Sequence, residues 1–129
     1  MFKNRKLLLA ISAFIFFSFL FCLPGSAIPK DDWLDAIWAD KWVHIGLFSG
    51  LTFLTAYPFV AKNLASLKLL IKIGTGVIIY GVLMEFVQKY LALERSFDGW
   101  DILADATGCL FGFLVVNSLR LRIKRRESI

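Results

Sequence analysis

Charge, cysteine and any stretch of soluble length are all scarce in this chain, and each shortage excludes something. Only 19% of the residues are charged, against about 25% in a typical soluble domain. No interval between or beside the long apolar runs exceeds 19 residues, too little for an independently folded soluble domain. The two cysteines, Cys22 and Cys109, sit in apolar runs, where a free thiol behaves as a small hydrophobe. No disulfide is expected. The chain has no H-E-x-x-H helix, no phosphate-binding loop and no nucleophile motif, so no metal-ligand set and no cofactor is read from it. An internal inverted repeat is also lacking.

What the chain does have is apolar mass. Its 129 residues are 58% hydrophobic with 13 Phe, and mean hydropathy is +0.69. Four runs carry the excess: 7–23, 43–61, 69–91 and 102–119. As helices these are about 26–35 Å long, near the thickness of a bilayer core. The expectation is one membrane domain over 1–129, an all-α bundle of four transmembrane helices.

A net charge of +5 raises the question of nucleic acid, but the distribution answers it. Threading four spans puts Lys3, Arg5, Lys6, Lys62, Lys68, Lys72, Arg120, Arg122, Lys124, Arg125 and Arg126 on one side, with Glu127 the only acid. The other side has Lys30, Lys41, Lys89 and Arg95 against Asp31, Asp32, Asp35, Asp40, Glu85, Glu94, Asp98, Asp101 and Asp105. Basic loops stay in the cytoplasm, so both termini are expected inside, with the basic tail a topology signal touching anionic lipid heads. No nucleic-acid partner is expected. Trp33, Trp38, Trp42 and Trp100 fall in or beside the outer loops, as in an interfacial aromatic belt. Residues 29–39 read as a short amphipathic helix lying on the outer surface. The first run has a rival reading: Pro24-Gly25-Ser26-Ala27 after it resembles a signal-peptide cleavage point, which would leave three helices.

Polar residues recur inside these spans at helical spacing. Lys41, His44, Phe48, Leu51 and Thr55 form one stripe in the second helix, and Gly74, Gly81, Glu85 and Gln88 form another in the third. Asp98, Asp101, Asp105, Gly108 and Gly112 form a third stripe in the fourth helix. Each stripe is polar at its outer end, and the last two turn to glycine toward the cytoplasm. Gly108-x-x-x-Gly112 is the small-residue pattern of tightly packed membrane helices, so helices three and four are expected to pack closely through their inner halves. Their outer halves then bring Glu85, Gln88, Asp101 and Asp105 together with Lys41 and His44. Simpler readings stand beside this one. Asp98 reads equally as a helix cap and Asp101 as a first-turn acid; Ser96 reads as a loop residue and Asp40-Lys41 as a surface pair; His44 alone reads as a structural hydrogen-bonding group. Glu85 is the exception: six residues inside its span, an unpaired carboxylate is expensive. Asp40, Glu85, Asp98, Asp101 and Asp105 outnumber Lys41 and Arg95. Protonation of an acid, a charged His44 or a bound cation would each correct the imbalance.

Asp40-Lys41-x-x-His44, Glu85-x-x-Gln88, Arg95-x-x-Asp98-x-x-Asp101 and Gly108 with Gly112, in that order, resemble the VanZ-like family over about 40–112. The family commonly has asparagine where this chain has Asp105, and the segment at 29–39 lies outside its pattern. The resemblance implies a small polytopic membrane protein of the bacterial cell envelope. The namesake is associated with low-level resistance to the glycopeptide teicoplanin, and no settled reaction comes with the family.

Three functions follow as expectations. The leading one is a multi-pass bacterial membrane protein with an outward-facing polar pocket, binding an envelope lipid, a cell-wall precursor or a glycopeptide and altering antibiotic susceptibility. The second is an enzyme on a lipid-linked substrate, with Glu85 or Asp101 as base and His44 as acid or metal ligand. The third is proton-coupled transport, with a homo-oligomer joined through Gly108 and Gly112 supplying the path.

Overall fold

In a computed structural model of the chain, residues 5–23, 32–33, 37–91 and 96–128 are described. They contain four long helices: α1 (Arg5–Phe21), α2 (Ala39–Ala61), α3 (Leu67–Leu91) and α4 (Gly99–Glu127). Most of the segment read as a surface helix at 29–39, the cleavage point at 24–27 and Arg95 lie outside the described residues.

Three of these helices, α2, α3 and α4, are long and apolar enough to cross a membrane. At 1.5 Å per residue they measure about 35, 38 and 44 Å. α1 has 17 residues, about 26 Å. The helices outrun the apolar windows of the sequence at their polar ends. α2 begins four residues before its apolar run, so Asp40 and Lys41 occupy its first turn, and α4 stays helical through Arg126. Lysine and arginine are good helix formers, and a basic last turn complements the negative end of the dipole.

Ser66 begins α3 by accepting from the Leu69 amide at 3.1 Å. The α2–α3 turn closes on Asn63, which takes the left-handed conformation that asparagine tolerates better than most residues. Asn63 also donates to the Glu127 carboxylate, tying the end of α4 to the end of α2. Lys62 after α2, Lys68 and Lys72 at the start of α3 and the basic residues of 120–126 at the end of α4 therefore gather at one end of the bundle, and Asp40, Asp98 and Asp101, with Lys41 among them, at the other.

Buried apolar residues form two clusters. Phe21, Phe48, Leu51, Val77, Met84 and Cys109 lie toward the acidic end, and Ala56, Val60, Ala65, Leu70 and Val116 toward the basic end. The outside is apolar too: Ile71, Ile79, Leu83, Leu103, Leu110 and Phe111 are all exposed. Buried charge with an apolar exterior is the arrangement that a hydrocarbon solvent imposes. Cys22 and Cys109 are unbridged thiols.

The tight glycine contacts differ from the sequence expectation. A methyl group on Gly108 would meet the backbone of Ile45, and one on Gly112 would lie 2.5 Å from the Ser49 carbonyl oxygen. Both glycines thus close α4 onto α2, not onto α3. The reason is direction: α2 and α4 both run from the acidic end to the basic end, so a glycine every fourth residue meets successive turns of a parallel neighbour. Being covered by α2, this glycine face is not free for a second copy of the chain. Gly81 does admit close approach to α3, since an added methyl would fall 2.8 Å from Asp105 Oδ2 and 2.9 Å from the Phe48 ring. Gly74 is different again, with nothing within 4 Å of an added methyl; it is buried without being a close contact.

Candidate functional site: a polar chain entering the bundle

The parallel register of α2 and α4 sets the site. Lys41 faces Asp101 and His44 faces Asp105, separations of 60 and 61 residues along the chain. α3, running the other way, inserts Glu85 at the same level.

Lys41 forms the outer part. Its ammonium donates to Asp40 Oδ2 at 2.8 Å and to Asp98 Oδ2 and Asp101 Oδ1 at 2.5 Å each. Three carboxylates around one ammonium satisfy all three of its donors. Asp98 does two jobs with its two oxygens. Oδ2 takes Lys41, while Oδ1 accepts from the Trp100 amide at 2.9 Å, capping α4. The cap and the site are one residue. The Lys41 hydrogen bond and charge hold the Asp98 carboxyl below its ordinary 3.8, against a weaker opposing effect of burial.

His44 forms the inner part. Its Nδ1 lies 2.7 Å from Asp105 Oδ1, and its Nε2 lies 3.8 Å from Asp101 Oδ2, too far for a hydrogen bond. Phe21 and Phe48 wall the imidazole at centroid distances of 5.2 and 6.5 Å. Phe48, wholly buried, is the apolar floor beneath the polar groups. Glu85 accepts from the Asp98 amide at 3.1 Å, fixing the start of α4 to α3. Among the described residues it makes no ion pair.

Exposure falls steadily along this chain of groups. The side chains of Asp40 and Asp98 are 56% and 38% exposed. Asp101 and His44 are 7% and 5% exposed as residues, and Asp105 and Glu85 are 2% and 1%. The constellation is a polar path from the acidic end into the bundle. Chemically it can hold charge, and the pairing of Asp105 with Nδ1 fixes the orientation of His44.

Of the sequence-predicted residues, the structure brings together Asp40, Lys41, His44, Glu85, Asp98, Asp101 and Asp105. Gln88 is buried nearby but serves another purpose: its amide donates to the Phe21 carbonyl at 3.2 Å, satisfying an orphan acceptor at the end of α1. Sequence reasoning missed Ser18 and Tyr80, whose hydroxyls meet at 2.8 Å and join α1 to α3. The available signal was a serine inside an apolar run, and its partner, 62 residues away, follows no local pattern.

Among the described residues, those able to hold a metal fall into two groups. One is Asp40, Asp98 and Asp101; the other is His44, Glu85 and Asp105. No protein-family model, no curated protein and no solved structure matches the chain.

Proposed function

We propose that the chain is a VanZ-like multi-pass protein of a bacterial cell membrane, with the acidic end of its bundle facing outward. Its buried polar path receives the head group of an envelope lipid, a cell-wall precursor or a glycopeptide, and so alters antibiotic susceptibility. The observation that carries this reading is the run Lys41–Asp101–His44–Asp105, with Glu85 beside it, graded from exposed to buried. Charges so placed in a membrane bundle are expensive, and a site function accounts for that expense better than packing does. The segregation of bases to the opposite end supports cytoplasmic termini. Hydrogen bonds from α1 to α3, at Ser18 and at the Phe21 carbonyl, support α1 as a fourth span alongside the other three. The ordered motifs from Asp40 to Gly112 supply the family.

The experiment is lipid analysis of the full chain purified from bacterial membranes in mild detergent. Wild type should retain a polar-headed envelope lipid, and Asp101→Asn and Glu85→Gln should lose it while bulk phospholipid stays unchanged. The same lipid complement in all three proteins would refute the reading.

One observation favours an enzyme as the second reading. Asp105 holds Nδ1 of His44 while Nε2 remains without a hydrogen bond to Asp101, the arrangement of an oriented general base. Turnover of a lipid-linked substrate that disappears in His44→Gln would favour it.

A further inference from the structure

Two triangles of potential metal ligands share this end of the bundle, and they differ in one respect. The outer triangle, Asp40, Asp98 and Asp101, already surrounds a cation, the Lys41 ammonium at 2.5–2.8 Å. The inner triangle, His44, Glu85 and Asp105, surrounds none: among the described residues the only basic group in it is the imidazole itself. Yet the inner triangle is the more deeply buried, where uncompensated carboxylates cost most.

We infer that His44, Glu85 and Asp105 bind one divalent cation of the zinc or manganese class. Each comes from a different helix, α2, α3 and α4, and their donor atoms lie within 4.8 Å of one another. Donors about 2.1 Å from a shared ion sit roughly 3–4 Å apart, so modest side-chain rotation closes the triangle. A second observation concerns the imidazole. The His44 side chain is 7% exposed, and its Nε2 is 3.8 Å from Asp101 Oδ2. With Nδ1 donating to Asp105 in the neutral tautomer, Nε2 is the ring nitrogen left to ligate an ion. The donor set names the class of ion. One imidazole with two carboxylates suits Zn2+ or Mn2+, whereas Ca2+ takes six to eight oxygens and Cu(I) prefers sulfur.

Three protein ligands leave coordination positions open. An ion there would also give a phosphate head group the positive charge it needs at this acid-rich end, and in that part the inference rests on the function proposed above. The ion competes with protons for the same lone pairs, so binding releases protons and weakens in acid.

The test uses the full chain in phosphatidylcholine nanodiscs, stripped with chelator, then titrated with Mn2+ by electron paramagnetic resonance and with Zn2+ by equilibrium dialysis. The expected result is one ion per chain, nitrogen coupling to Mn2+ that His44→Gln removes, and binding at least tenfold weaker at pH 5.5 than at pH 7.5. Glu85→Gln and Asp105→Asn should each weaken binding at least tenfold, and Glu127→Gln at the far end should leave it within twofold. Should either variant misfold, the nitrogen coupling in wild type decides. Less than a tenth of an ion per chain, or full binding in both carboxamide variants, overturns the inference. So does an ion-free wild type whose Arg95→Ala variant gains an ion, which would make Arg95 the compensating charge. Head-group retention by chelated protein separates the two claims: lipid held without the ion defeats the metal's role alone, and an ion bound without lipid defeats the head-group reading alone.

Discussion

Lys41 does at residue scale what a metal ion does elsewhere: it collects three carboxylates that would otherwise repel one another. Its removal should therefore cost more than a surface ion pair. Lys41→Met leaves Asp101, whose side chain is 10% exposed, without its cation. Breaking a buried pair from one side costs about 3 kcal/mol, read as a lowered midpoint of thermal unfolding in detergent. Adding Asp101→Asn should recover part of that loss, because the stranded charge goes too. Strict additivity would mean that the two side chains act separately. Asp98 gives a pH signature. Its carboxyl titrates lower in the folded protein than in the unfolded one, so its contribution is complete above the ordinary carboxylate value of 3.8 and is lost as pH falls through the lower folded value. The part of the stability that Asp98 supplies should be flat from neutral pH to about 5 and fall away below about 4, so the difference in unfolding midpoint between wild type and Asp98→Asn should narrow over that range.

At the scale of the element, the helical faces were readable because the polar groups cannot face lipid. Glu85, Asp101, Asp105 and His44 stood out by depth and spacing alone, and their convergence followed once the helices were threaded through a bilayer. Two features were not readable. Helix ends were not readable from hydropathy, because a hydropathy window stops where charge begins while helix propensity does not: Asp40 and the basic residues through Arg126 are helical beyond the apolar runs. The partner of the glycine stripe was misassigned because a small-residue pattern shows which face is close-packed and says nothing of which neighbour covers it. Gly108→Leu and Gly74→Ala turn this into a measurement. The first forces a side chain into the Ile45 backbone and should destabilise by about 3 kcal/mol or prevent folding. The second meets open space and should be neutral or slightly stabilising by thermal unfolding, since alanine is the better helix former.

On the scale of the whole molecule, the acidic and basic ends define an axis, and the proposed orientation assigns its direction. In a Cys22→Ser, Cys109→Ser background, Ser96→Cys should react with a membrane-impermeant maleimide in intact cells. Ser128→Cys should react only after permeabilisation. The opposite pattern would put the polar path in the cytoplasm and remove envelope ligands from consideration. α1 illustrates what a whole-molecule view adds. Its sequence shows an apolar run with two competing fates, but its contacts at Ser18 and Phe21 tie it to α3 beside the site. The central claim is that the buried charges exist for function. Glycopeptide susceptibility measures it most directly, in a bacterial strain lacking its own copy and complemented with wild type, Glu85→Gln or Asp101→Asn at matched membrane levels. Wild type should restore the susceptibility phenotype and both variants should fail to do so; full complementation by the variants would contradict the account.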